Sequence, residues 1–231
     1  MSHTLTIIQK QLKDTLKNKT VLIQFIMFPV LGIIMTKAIQ IENMPENFFV
    51  NLFVTMYIGM APLTSISAII SEEKEKNTLR VLLMANVSPM QYLIGIGSYV
   101  FFACMLGGVV FCYLLDGVTG TQRMLFLLIV AVGIVASMVM GAAIGVGSKN
   151  QMAATSVTVP VMMVFSFLPM LSMFNDKIEK IAKVTYSEQI RLMISNLENS
   201  GDYAKNLAVI FLNILLFGVI FFVLYKKIYR N

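Results

Sequence analysis

The sequence predicts an all-α membrane protein, and three observations carry that prediction. Of its 231 residues, 57% are hydrophobic and only 13% are charged, against roughly 45–50% and about 25% in a soluble domain. Mean hydropathy is +0.78. The apolar residues gather into six runs, at about 20–38, 49–70, 92–115, 124–147, 155–173 and 206–225, and none of them contains an internal carboxylate. Each run is long enough to cross a hydrocarbon core of about 30 Å as a helix. Little chain is left over, so residues 1–231 read as one transmembrane domain without a soluble enzyme domain.

Ahead of the first run, Leu5, Ile8, Leu12 and Leu16 recur at three- and four-residue spacings, with Lys10, Lys13, Lys17 and Lys19 between them. That pattern predicts an interfacial amphipathic helix over residues 2–19. It is no cleavable leader, because polar and basic residues precede the apolar run and no A-x-A-like site follows it. Lys37 closes the first run, where its stem would snorkel to the interface. Six spans leave both termini on one side of the membrane. Segments 1–20, 71–91, 148–154 and 226–231 carry 11 of the 18 Lys and Arg, whereas 174–205 balances five basic against five acidic residues. Positive charge accumulates on the cytoplasmic side, so both termini are expected there, in a multi-pass protein of the cell membrane.

Between the second and third runs, Ser71 would cap a helix whose first turn holds Glu72 and Glu73, and Leu79, Leu82 and Leu83 would share one face until a stop near Asn86. Ser88-Pro89-Met90-Gln91 then reads as a capping box that opens the third span. Two helices would meet there at a tight cytoplasmic elbow. Its leucine face needs a partner, either lipid headgroups or a groove on a cytoplasmic protein, and the pattern alone leaves both open.

The fourth run carries Gly133, Ser137, Gly141 and Gly145 at four-residue intervals. One face is thus nearly bare, so another helix should lie close against it. In the fifth run, Pro160 should kink or break the helix and Pro169 should end it. Beyond it, Phe174, Ile178 and Ile181 form a short apolar stripe. Thr185-Tyr186-Ser187-Glu188 reads as a second capping box, and Ile190, Met193, Ile194 and Leu197 follow on one face until Asn199-Ser200-Gly201. These two short helices are too charged to span and should cap the bundle from outside.

Several kinds of chemistry are excluded. There is no G-x-x-x-x-G-K-[ST] phosphate cradle, and the nearest lookalike, Gly145-Val146-Gly147-Ser148-Lys149, has the wrong spacing. Cys104 and Cys112 lie eight residues apart in one run, roughly 12 Å along a helix, too far for a disulfide. Neither they nor the lone His3 makes a metal site. No paired carboxylate, His–Glu helix or Ser–His set lies in the spans, so no catalytic residue is named. Ion-coupled carriage is disfavoured because the spans hold no mid-membrane ionisable group. A pathway lined by Ser, Thr, Phe and adaptable Met suits an amphipathic cargo. Candidate contacts are Met162, Met163, Phe165, Phe167 and Met170 of span five with Thr55 and Tyr57 of span two. Asn213 should instead bond across helices.

The run Ile70-Ser71-Glu72-Glu73-Lys74-Glu75-Lys76-Asn77-Thr78-Leu79-Arg80-Val81-Leu82-Leu83, followed by Val87-Ser88-Pro89 and a span, resembles the cytoplasmic signature of the type-2 ATP-binding-cassette exporter permeases. There a Glu-rich segment leads into a Gly-Thr-Leu-Glu-like turn, paired leucines and the next span. Asn77 stands where Gly is common and Arg80 where an acid is common; the likeness otherwise extends over the whole chain. The resemblance implies a coupling helix over about 72–86 docking on a separate ATPase, with Glu72, Glu73, Glu75, Thr78, Leu79, Leu82 and Leu83 as coupling residues. ATP and Mg would be held by that ATPase, and no cofactor by this chain. It further implies a second permease copy or sibling, membrane lipid around the spans, no nucleic-acid partner, and export of an antimicrobial or toxin peptide, a drug or a lipid-linked molecule. A membrane scaffold or immunity protein that sequesters a peptide is the competing reading.

Overall fold

The computed structural model describes residues 19–39, 45–78, 89–197 and 203–230. Among these the chain forms α1 (Lys19–Ala38), α2 (Phe48–Glu75), α3 (Pro89–Tyr113), α4 (Gly120–Gly147), α5 (Gln151–Ser172), α6 (Asp176–Ala182), α7 (Tyr186–Ser195) and α8 (Ala204–Arg230). Helices α2, α3, α4, α5 and α8 are long and apolar enough to cross a membrane, and α1 adds a shorter apolar stretch, Ile23–Ala38. The interfacial helix expected over 2–19 lies almost wholly outside the described residues. So do Leu79, Leu82, Leu83, Asn86, Ser88 and the Asn199-Ser200-Gly201 stop.

Helix α2 is the axis of the bundle. It packs against α1, α3, α4, α5 and α7, and Val50, Val54, Tyr57, Ile58, Leu63, Ile66 and Ile70 are fully buried on its several faces. A helix that is apolar all round finds its place in an interior. At the periphery, α8 turns Phe211, Leu212, Leu215, Leu216, Val219 and Val223 outward, a surface suited to hydrocarbon or to another apolar helix.

Helix α2 packs most extensively against α4, and the small residues of α4 make the close approach possible. A Cβ added to Gly141 would collide with the backbone carbonyl of Leu63, and one added to Gly145 would sit 3.0 Å from the carbonyl oxygen of Ser67. At Gly133 it would meet Ile58 Cγ2 at 2.9 Å, and Ser137 is fully buried on the same stripe. With almost no side chain between them, backbone packs on backbone and dispersion contacts are dense on both sides.

Several local expectations are corrected by the fold. Ser71 caps nothing: α2 continues through it to Glu75, and the Ser71 hydroxyl donates to the Ala68 carbonyl at 3.1 Å. Glu72, Glu73 and Glu75 therefore belong to the last turn of α2, not to the first turn of a separate helix. Intrahelical hydrogen bonding on an already formed helix outcompetes a new cap. Pro160 does not break α5 and Pro169 does not end it; the helix runs through both to Ser172, because packing against α2 holds the flanking turns. The second capping box is only half made. Thr185 Oγ1 accepts from Glu188 N, but the Glu188 carboxylate takes other partners, described below. Helix α7 also stops early, at Ser195, with Asn196 as its cap.

At the end where α2 begins, α7 is inserted among α2, α4, α5 and α8, with Tyr186, Ile190, Met193 and Ile194 buried. Ile181 and Phe174 stay exposed. Glu188 is completely buried and pairs with Arg191, Nη2 lying 2.6 Å from Oε1, while Ser172 Oγ donates to Oε2 at 2.8 Å. Asn213 of α8 donates to the Val184 carbonyl at 3.0 Å, tying the α6–α7 turn to the bundle.

Candidate functional site: the hub at the end of α2

Three consecutive residues in the last turn of α2 reach three different helices. The Tyr92 hydroxyl of α3 donates to Glu73 Oε2 at 2.6 Å, and both side chains are buried. Lys74 Nζ donates to the Val146 carbonyl at 2.7 Å and the Ser148 carbonyl at 2.6 Å, where α4 ends. Glu75 Oε2 accepts the backbone N–H of Gln151, the first residue of α5, at 2.9 Å. The charges match the helix ends they meet: the ammonium faces carbonyls at a negative C-terminus and the carboxylate faces an amide at a positive N-terminus. Helical geometry explains the fan, since successive residues project about 100° apart.

Around these anchors the turn is finished locally. Lys76 pairs with Glu72 one turn back, Nζ to Oε1 at 2.5 Å, both partly solvent-exposed. Lys76 N–H donates to Glu72 O and Asn77 N–H to Lys74 O at 3.1 Å. Asn77 has φ 58, the left-handed conformation that commonly ends helices and that Gly or Asn accommodates with least strain. That explains why Asn can stand where the resemblance leads one to look for Gly. The Thr78 hydroxyl returns to the Glu73 carbonyl at 3.0 Å. The described chain leaves α2 here, on its way to the leucines.

Of the seven coupling candidates, the structure thus brings Glu72, Glu73, Glu75 and Thr78 together, and Leu79, Leu82 and Leu83 lie outside the described residues. Glu73 and Glu75 are engaged within the chain. Sequence reasoning missed Lys74, Tyr92, Ser148 and Gln151. A lysine among three glutamates reads as solvated surface, and nothing local shows that it meets a helix end more than seventy residues away.

The candidate substrate contacts are dispersed. Tyr57 is fully buried, its hydroxyl donating to the Cys104 carbonyl at 3.1 Å, and buried Thr55 donates to Asn51 O at 2.7 Å. Phe165 stacks on Tyr186 with centroids 5.2 Å apart. Met163 is half exposed, and Phe167 and Met170 are partly buried. Only Met162 among them lines a cavity of about 260 Å³ between α1, α2 and α5. Its polar lining includes Gln24 with Thr64 at 3.0 Å and Ser67 with Thr158 at 2.8 Å.

The described residues thus form an apolar helical bundle of the multi-pass membrane class, in which α2 is braced at its end against three other helices. Residues 1–225 match the family of ABC-2 family transporter proteins, and the chain belongs to that family. A search of curated proteins returned no match.

Proposed function

We propose that this chain is the permease of an ATP-driven exporter, with six spans, both termini cytoplasmic, and a separate ATPase docking on about residues 72–86. One observation supports this above the others: Glu73, Lys74 and Glu75 tie the start of that segment to α3, α4 and α5 at once. A push on the elbow would therefore move four helices together, because charge-assisted hydrogen bonds are short and strong, the one from Tyr92 to Glu73 being buried as well. ATP and Mg would reside on the ATPase, which supplies the hydrolysis. The cargo would be an amphipathic peptide, a drug or a lipid-linked molecule, entering beside the semi-polar cavity at Gln24, Thr64, Ser67 and Thr158. A second permease copy or a sibling would complete the pathway.

The test replaces Leu79 and Leu82 with Asp in the full chain and measures ATPase co-purification from native membranes, alongside substrate-stimulated ATP hydrolysis after reconstitution. Loss of both supports docking on the elbow. Undiminished co-purification overturns it, and resistance that survives disabling the ATPase favours peptide sequestration without transport.

A further inference from the structure

A second site lies between α3, α4 and α8, with Ile66 of α2 also on its wall. Helices α3 and α8 flank α4 without closing on one another, leaving an apolar groove of about 530 Å³. Gly97 and Phe101 of α3, Met138 of α4, and Gly218 and Phe222 of α8 line it. Gly218 contributes to the opening, whereas at Gly97 the space is taken by Met138, whose Cε lies 3.1 Å from an added Cβ. An added Cβ at Gly218 would meet nothing nearer than Val139 Cγ1 at 3.9 Å, so the missing side chain is not taken up by tight helix contact.

The groove has a charged mouth at one end. On α8, Ile214, Gly218 and Phe222 recur every four residues along the wall, and the next position in that row is Lys226, exposed, with exposed Lys227 beside it. Residues four apart on a helix share a face. Neither lysine is joined to a carboxylate among the described residues. This mouth is the hub end of the molecule, because Leu224 packs on Gly147, its Cδ1 3.2 Å from where a Cβ would stand, at the end of α4 that Lys74 meets. An apolar slot running about 12 Å along α8 from Ile214 to Phe222, with cations one turn beyond it, is complementary to one kind of molecule. That molecule has a hydrocarbon tail and an anionic head.

We propose that this groove binds an anionic glycerophospholipid of the surrounding bilayer, one acyl chain seated against Gly218 and Phe222 and the phosphate-bearing headgroup held by Lys226 and Lys227. Basic residues just beyond the hydrocarbon region attract anionic headgroups, and Gly218 admits the chain where a side chain would stand. The site is separate from the α2 hub, so its failure would leave the coupling reading untouched.

The test uses the full chain purified in nanodiscs of equimolar phosphatidylglycerol and phosphatidylcholine with matched acyl chains, followed by extraction and native mass spectrometry of retained lipid. The expected result is retention of phosphatidylglycerol in preference to phosphatidylcholine. Lys226→Gln with Lys227→Gln should lower that preference by roughly fivefold per lysine with an unchanged melting temperature. Gly218→Leu, which fills the groove, should reduce retention of both lipids. Equal retention of the two lipids by the unsubstituted protein, an undiminished preference in the double variant, or a second copy of the chain occupying the groove would each overturn the proposal.

Discussion

The Tyr92 hydroxyl donates to Glu73 Oε2 across 2.6 Å, joining the helices on either side of residues 79–88 by a bond that does not pass through those residues. Tyr92→Phe removes this donor and keeps the ring. The expected cost is about 1–3 kcal/mol of stability, read as a lower melting temperature in detergent. In the reconstituted transporter, ATP hydrolysis should persist while transport per ATP falls. Unchanged transport per ATP would remove the Tyr92–Glu73 bond from the coupling path.

Lys74 and Glu75 should separate by kind. Lys74→Met keeps the stem but strips two carbonyls at the end of α4 of their shared donor. Glu75→Gln retains an acceptor for Gln151 N–H and loses only the charge at the head of α5, worth about 0.3–1 kcal/mol. Melting temperature should fall clearly in the first variant and little in the second. Equal falls would contradict the assignment of the two roles.

Asn77 sits at φ 58. Asn77→Gly should be neutral or slightly stabilising, whereas Asn77→Val should cost about 1–2 kcal/mol through left-handed strain on a β-branched residue. Thermal unfolding of the pair checks this. Equal stability would mean that the turn relaxes to another conformation.

The stripe on α4 makes a steric prediction. Gly141→Leu should prevent α2 and α4 from closing and abolish a monodisperse, folded preparation, since overpacking costs at least about 1–3 kcal/mol and Leu63 backbone cannot step aside. Gly120→Ala, where an added Cβ meets nothing within 4 Å, is the matched control and should behave as the unsubstituted protein in size-exclusion chromatography.

At the opposite end, Arg191→Met leaves completely buried Glu188 without its ion-pair partner. Removing one member of such a pair typically costs about 3–5 kcal/mol, so a fall in melting temperature larger than that of any hub variant is expected. Glu188→Gln in the same background should recover part of it, because the leftover carboxylate is gone. No recovery would show that the lost arginine packing, not the stranded charge, carries the penalty.

The apolar runs gave away most of the helices, because a segment of some twenty uncharged residues has few stable alternatives to a helix in hydrocarbon. Gly133, Gly141 and Gly145 pointed to a close neighbour without saying which, and the neighbour is α2. Pro169 does not end α5 and Pro160 does not break it, since a proline costs a helix only what the surrounding packing does not hold in place. Ser71 and Glu72 misled for a related reason: capping residues act as caps only where the backbone has already stopped being helical. The hub residues were half legible. The Glu cluster was conspicuous, but the burial of Glu73 against Tyr92 was not, and Lys74, Tyr92, Ser148 and Gln151 carried no local signal.

By itself the amino-acid sequence determined a membrane-embedded, all-helical chain, because composition and periodicity are local properties that hydrocarbon solvent enforces directly. Only the tertiary structure decided what Glu73, Lys74 and Glu75 do. Their partners lie from about twenty to more than seventy residues away, and an exposed charge differs from a structural brace only through the helix end that packing brings against it.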